Sequence, residues 1–574
     1  MKYLVEVSQK QRKADFILRN AKVADLISLE WIDADVVIAD GKIIAVDKTK
    51  SYDAFTEEDA QGRYVIPGMI DAHIHIESSM LTPEQFSEIL LPHGITTAIT
   101  DPHEIANVAG TIGLQYMLDA AEFAKMDIFY MLPSSVPCTS FENAGARLTA
   151  VDLAPFTKEK QILGIAEVMD FPAVLSGDEN MLQKIQLGLD NGMIIDGHGA
   201  GLNEQQLTGY RAASIHTDHE CVSAEEALER LRQGMYVLIR EGSAAKNLKA
   251  IIPAVNERNS RRFAFCTDDK HLDEIIAEGT INNSVSMAVQ EGMLPLLAIQ
   301  LATLNAAECY RLYDRGLIAP GYKADFMLID SLEEIKPNAV WKNGEKVAEN
   351  GRLLVSSTSR ADVPARILNS VNLPKLSKAD LALKLNKPKA NIIEVIPNQI
   401  VTKKLVAEVD VVDGDFVASV EKDYLKIAVI ERHHQKGTKA VAIVHGLGLQ
   451  KGAVATTIAH DSHNAIVVGT NDEDMLVALE ALQNMQGGLV VVADGEVIGE
   501  MALNVGGIMT TLSAKEAEAK LAEVHDALHE IHPSCAFHLF LTLSFLSLPV
   551  IPSLKLTDTG LFDVEKFTHI SVEV

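Results

Sequence analysis

Cysteine is scarce in this chain, and basic residues are outnumbered by acidic ones. The five cysteines (Cys138, Cys221, Cys266, Cys309 and Cys535) are scattered over 574 residues. No Cys-x-x-Cys pair occurs, which excludes both a disulfide framework and a zinc ribbon and predicts a reducing, cytoplasmic setting. Lys plus Arg number 51 against 79 Asp plus Glu, a net charge of −28. Such a chain repels polyphosphates and anionic membranes at long range, so neither nucleic acid nor membrane is expected as a partner. A clean apolar run of about 20 residues is also missing. The most apolar stretch, "FHLFLTLSFLSLPVIPSLKL" (537–556), is interrupted by His538, Pro549 and Pro552 and reads as core. At the N-terminus, "MKYLVEVSQKQRKADF" puts Lys and Arg after its apolar start, the wrong order for a secretory signal.

What the chain does have is length and a globular balance, 47% apolar and 23% charged. This predicts roughly two to four domains with sizeable cores, and a homo-oligomer, a dimer first, is expected. Between 65 and 310, short β-branched runs alternate with helical patterns, the signature of a parallel sheet crossed by helices. The runs are "MIDAHIHI" (69–76), "ITTAITD" (95–101), "IFYMLPSS" (128–135), "ILGIAEV" (162–168), "GMIIDGH" (192–198), "ASIHTDH" (213–219), "YVLIRE" (236–241) and "RFAFCTD" (262–268). Eight strands in roughly 250 residues predict an α/β fold, a (β/α)₈ TIM-like barrel over 67–317. Crossover helices have recognisable starts: Thr82 with Pro83 in the first turn, and Ser223 with Glu226 as a capping box and Gly234 as a stop. Strands and hairpins within 1–66 and 318–360 carry Asp-Gly and Asn-Gly turns and are expected to pair as one small β-domain split by the barrel. Residues 361–390 read as a linker and 391–574 as a C-terminal α/β domain.

The first barrel run poses the chemical question. Successive strand side chains alternate between faces, so His73, His75 and Glu77 should project together, with Ile70, Ala72, Ile74 and Ile76 facing the helices. Burying such groups unpartnered costs roughly 2–7 kcal/mol each, and a metal ion would compensate. Catalytic groups of a barrel gather at the C-terminal ends of its strands. There this chain places Asp101, His103 and Glu104, then Glu167, His198, His216 and His219, and finally Asp268 and Asp269. Four imidazoles and two carboxylates can hold two divalent ions: His73, His75 and Asp268 on one, His198 and His219 on the other, Glu167 bridging. A water bridging the ions would lose a proton near neutral pH.

These motifs resemble the amidohydrolase superfamily, whose barrels carry His-x-His on strand 1, a bridging group on strand 4, His on strands 5 and 6, and Asp on strand 8. Many relatives place a carboxylated Lys on strand 4, and Glu167 argues against a hydantoinase- or urease-like site. More narrowly, "PGMIDAHIHIESSMLTP", "TDPHEIANV", "GIAEVMDFP", "DGHGAGL", "TDHECVSAEEAL", "IREGSAAKNL" and "CTDDKH" resemble the bacterial adenine deaminases. So do "AHDSHNAIVVGTNDEDM" and "LTLSFLSLPVIPSLKLTD" near the C-terminus, so the likeness spans nearly the whole chain. His216 departs from the family's usual Arg, which leaves His219 as the ligand.

The resemblance implies hydrolytic deamination of adenine to hypoxanthine and ammonia in purine salvage, with Mn²⁺ or Fe²⁺; another purine or cyclic-amide hydrolase on the same scaffold is the alternative. Hydroxide bridging the metals would attack C6. Asp268 would take its proton and deliver it to the leaving amine. An acid must also serve N1: Glu77 is the first candidate and Glu220, His103 and Glu104 are rivals, each equally readable as a salt-bridge or ligand-orienting residue. Ser78 and Ser79 either bond substrate or cap a helix. Arg240 and Glu241 either orient a ring nitrogen or form an ion pair at a helix start, and Asp101 joins the substrate-binding candidates. His433, His434, His445, His460, Asp461, Ser462 and His463 are dense enough to suggest a C-terminal loop near the site.

Overall fold

A computed structural model describes the whole chain except residues 358, 398, 535 and 536, so Cys535 lies outside the described residues. Eight parallel strands follow the order of the eight apolar runs: β1 (Met69–Ile74), β2 (Ile95–Thr100), β3 (Asp127–Leu132), β4 (Ile162–Val168), β5 (Ile194–Gly197), β6 (Thr217–Asp218), β7 (Tyr236–Arg240) and β8 (Phe263–Cys266). They form a five-stranded half, β1 to β5, and a three-stranded half, β6 to β8. Two seams close them into a barrel. At one, the His216 amide donates to Ile195 O at 2.7 Å; at the other, the Asp268 amide donates to His73 O at 2.9 Å and the His75 amide to Asp268 O at 3.3 Å. Asp71 stitches the second seam, accepting the Thr267 amide at 3.0 Å and its hydroxyl as well. Burial pushes the Asp71 carboxyl up to about 7.

Strict alternation fails along β1. Ile70 and Ala72 lie in a cluster with Ile99, Met131, Ala166, Ile194, Leu238 and Ala264, drawn from strands all round the barrel, which only the interior can bring together. Ile74 and Ile76 pack outward with Phe86 and Leu90 of the following helix, as expected. The reason is a change of register against β2 between Asp71 and Ile74. A bulge of this kind flips the face presented by everything beyond it. Ile70 and Ala72 therefore fill the barrel floor while His73 and His75, beyond the shift, also point inward.

Helix Pro83–Leu90 begins after Thr82 with Pro83 in its first turn, where the missing N–H costs nothing. Helix Ala224–Arg232 is capped by the Ser223 side chain, which accepts the Glu226 amide. The expected box does not close, because Glu226 Oε2 accepts the amide of Val222 instead. Gly234 ends the turn at φ 79°.

Strands Ala14–Asp25, Glu30–Ala39, Lys42–Asp47, Ala54–Asp59 and Tyr64–Pro67 share one sheet with Phe326–Ile329, Pro337–Lys342, Glu345–Glu349 and Arg352–Leu353. The two segments meet where Tyr64–Pro67 pairs antiparallel with Phe326–Ile329. Residues 361–388 carry a short helix, Ala365–Leu368, and bury Ile367 and Leu381.

The C-terminal half is a separate β-rich unit around an eight-stranded sheet, antiparallel except where Lys389–Val395 meets Lys439–His445. Alternation along Tyr424–Ile430 explains its two faces. Ala428 and Ile430 pack under helix Asp472–Met485, whereas Ile427 and Val429 belong to the cluster that is continuous with the barrel's outer core. The apolar stretch after residue 537 is core: helix Leu539–Ser544, a turn Phe545–Ser547 and strand Leu554–Thr557, almost wholly buried. Among the described residues no helix is long and apolar enough to cross a membrane.

Candidate metal centre and substrate chamber

Glu167, at the end of β4, is the hub of the barrel mouth. Its Oε2 is 2.7 Å from His198 Nδ1 and 3.2 Å from His219 Nε2, while Oε1 is 3.3 Å from His75 Nε2 and 3.9 Å from His73 Nε2. Asp268 completes the first pair, with Oδ1 3.1 Å from His75 Nε2 and 3.5 Å from His73 Nε2. Asp268 sits just beyond β8 in a left-handed conformation, φ 63°, which Asp tolerates better than most residues. All six side chains are buried. Burial works against ionisation of Glu167, but the facing His198, His219 and His75 outweigh it and hold the carboxyl well below the usual range. For Asp268 burial is likewise overcome, by His73, His75 and Arg240. Burial is also overcome at His198, which Glu220 and Glu167 push up to about 9.

The donor set fits a pair of divalent ions. His75 Nδ1 lies 3.0 Å from Asp101 O, so it carries the proton and leaves the Nε2 lone pair facing the two carboxylates. His73 Nε2, His198 Nε2 and both nitrogens of His219 are buried without a hydrogen-bond partner among the described residues. Orphaned imidazole nitrogens around two ionised carboxylates are costly unless a cation binds them. Three groups of potential ligands result: His73, His75 and Asp268; His73, Glu167 and His219; and His198, His219 and Glu220. His103 with Asp101 adds a fourth beside His75 and Glu167, and Glu104 with His460 and His463 a fifth. His216 lies apart, its ring 5.3 Å from Tyr236, where burial lowers it to about 4.

Of the other candidates, His103, Glu104, Glu220 and Arg240 line a small chamber over these ligands, with Asp461 and His460 opposite. Asp101 accepts the His103 backbone amide at 3.0 Å and lies 2.9 Å from its Nδ1, orienting the ring. Ser78 Oγ bridges Asp269 Oδ1 at 2.5 Å and Glu104 Oε1 at 3.2 Å. Ser79 turns away to Ile76 O. Glu77 is buried, but its Oε1 accepts the Ile105 amide at the start of helix His103–Ala109, and it is not among the residues lining the chamber. Arg240 forks between Glu220 and Asp268 and also reaches Asn247 Oδ1. Glu241 Oε2 accepts the Leu248 amide.

The C-terminal half closes the chamber. Of its histidines, His460 and His463 reach the site with Asp461, whose Oδ1 is 3.6 Å from His103 Nε2. His433 braces that loop through Ser462 O at 2.7 Å, and His445 stands away beside Tyr424. Ile400, Phe545, Leu548 and Ile551 supply an apolar ceiling; the last three lie in the 537–556 run, whose sequence reads only as core. The bare run of apolar residues carries no sign of which side faces a ligand. The chamber itself holds about 30 Å³ and opens into an outer cavity of about 1300 Å³ that shares His198, Glu220 and Arg240 in its lining.

An amidohydrolase family model matches residues 64–350, and one for the adenine deaminase C-terminal domain matches 399–568. The chain is 62% identical over 567 residues to an adenine deaminase of Lysinibacillus sphaericus, covering 99% of this chain and 97% of the relative. Over 99% of this chain, it is 49% identical to an adenine deaminase of Halalkalibacterium halodurans and 48% to one of Geobacillus kaustophilus, covering 97% and 98% of those proteins. Barrel and C-terminal half are thus matched together, and the chain belongs to the adenine deaminase family of the amidohydrolases.

Proposed function

We propose that the chain hydrolyses adenine to hypoxanthine and ammonia, as a hydrolase of cyclic amidine C–N bonds. The observation that carries this reading is Glu167 set between two histidine pairs beneath a chamber walled by Glu104 and Asp268. His73, His75 and Asp268 would hold one divalent ion and His198 and His219 the other, with Glu167 between them. Such a pair, when bound, supplies an activated water near neutral pH. The N,O donor set suits Mn²⁺ or Fe²⁺.

The chain's own residues handle the protons. Water adds at C6; Asp268 accepts the proton it sheds and passes it to the exocyclic amine, which leaves as ammonia. Burial, reinforced by Glu77 and Asp269, pushes Glu104 well above the usual carboxylate range, which favours the protonated form that can donate to a ring nitrogen. Glu104 therefore takes the acid role in preference to Glu77, which is occupied as a helix cap. His103, oriented by Asp101 and Asp461, and Arg240, paired with Glu220, line the ring's edge. Ser78 holds Glu104.

The same reading includes a cytoplasmic setting, in keeping with the four free thiols among the described residues, and a homodimer, tested by sedimentation of the purified enzyme. It also includes the division into a split β-domain (1–66 with 318–360), barrel, linker and C-terminal domain, supported by the sheet the two flanking segments share. The decisive assay measures ammonia release from adenine, adenosine and guanine with added Mn²⁺. Release from adenine alone is expected; adenosine as the preferred substrate would overturn the reading.

A further inference from the structure

One buried histidine of the C-terminal loop takes no part in the reaction as described. His463 donates its backbone amide to Ala459 O at 2.7 Å, and its Nδ1 accepts the Ala459 amide at 3.3 Å. A neutral imidazole that accepts through Nδ1 carries its proton on Nε2. That Nε2 faces Glu104 Oε2 at 3.7 Å, and neither atom has a hydrogen-bond partner among the described residues. The other oxygen, Oε1, has different neighbours: Ser78 Oγ at 3.2 Å and His460 Nδ1 at 3.5 Å. The loop is held firmly, since the buried Arg432 guanidinium binds His463 O and Gly506 O, and His433 binds Ser462 O.

His460, His463 and Glu104 are also close enough to ligate a cation. The tautomer opposes it. A metal on His463 Nε2 requires the proton on Nδ1, where it would point at the Ala459 N–H. A hydrogen bond from Nε2–H to Oε2 meets no such conflict.

We propose that His463 is a positioning residue for Glu104, its Nε2–H marking Oε2 as the accepting oxygen so that the acid proton resides on Oε1, beside His460 and Ser78. At 3.7 Å the contact is longer than a hydrogen bond and becomes one with a shift of about 0.7 Å. Catalytic hydrogen bonds commonly tighten in this way once substrate is seated. The inference rests on Glu104 serving the ring nitrogen, and it makes the C-terminal half a contributor to the proton path as well as a cover.

Two variants of the holoenzyme separate the donor from the fold. His463→Asn keeps an acceptor for the Ala459 amide but cannot reach Glu104; His463→Gln places an N–H near the position of Nε2. We expect His463→Asn to lose about 10- to 100-fold in kcat at little changed KM, and His463→Gln to recover most of it. In a Glu104→Gln background, His463→Asn should add little, because the two residues act as a unit. Equal kcat for the Asn and Gln variants overturns the inference, as do independent effects in the double variant. Elemental analysis that finds one metal equivalent per protomer lost in His463→Asn overturns it too. If Glu104→Gln alone turns over like the wild type, the acid role of Glu104 is wrong, and this inference falls with it.

Discussion

Arg240 Nη1 lies 2.8 Å from Asp268 Oδ2, on the side of that carboxylate away from His73 and His75. One oxygen therefore faces the ligand histidines while the other is held by a guanidinium that also grips Glu220. Removing the cation would leave two buried carboxylates facing each other. Arg240→Ala should cost about 3–5 kcal/mol of stability, measured by denaturant unfolding. Arg240→Lys keeps the charge without the fork. It should fold and lose activity chiefly in kcat.

Asp268 and Glu167 should fail differently. Asp268→Asn keeps a neutral oxygen toward His75, so much of the metal should remain while nearly all turnover is lost. Glu167→Gln removes the charge between the two histidine pairs and should chiefly lower metal occupancy. Metal content and kcat measured on the same preparations check both; an active Asp268→Asn enzyme would end the proposed proton transfer.

Stripping the enzyme with a chelator should abolish turnover, with recovery on adding Mn²⁺. Burial opposes the charge on His198, but Glu220 and Glu167 raise it to about 9, so in the metal-free protein it is protonated at neutral pH. Ligation needs the neutral ring, so reloading must expel protons and strengthen as pH rises toward 9. Calorimetry in buffers of different ionisation enthalpy should report that release.

Lys555 is fully buried and donates to Ile400 O at 2.8 Å and Phe545 O at 2.9 Å, pinning two residues of the chamber ceiling. Burial lowers it to about 7. Between there and the ordinary value, about 10.4, the unfolded chain holds a proton that the folded chain has released. Stability should therefore rise with pH through this window. Lys555→Met should flatten that slope, read from melting temperatures across the range.

The ceiling makes the C-terminal half indispensable. Deleting 370–574 removes Phe545, Leu548 and Ile551 from over the ligands and uncovers the apolar surface the barrel shares with the C-terminal sheet. Turnover should be abolished; a soluble, fully active truncation would refute this.

Much of this was legible in the chain because local rules govern it. Short β-branched runs alternating with helical patterns located the eight strands, and the ionisable residues ending them stood out because packing has no use for them. Thr82 with Pro83, Ser223 and Gly234 marked helix ends through backbone groups a few residues away. Ile70 and Ala72 escaped the same rule, since a register shift depends on how β1 meets β2 and leaves no trace in the composition of either.

The amino-acid order alone determined which chemical groups are present and which strand end carries each, because both follow from neighbours within a turn or a strand. Which groups face one another was settled only by closing the barrel and seating the C-terminal loop. Glu77 and Glu104 are equivalent carboxylates in sequence; one ends against the Ile105 amide and the other in the chamber beside His460 and His463. Contacts between residues from 28 to more than 350 positions apart made that choice, and no local periodicity records them.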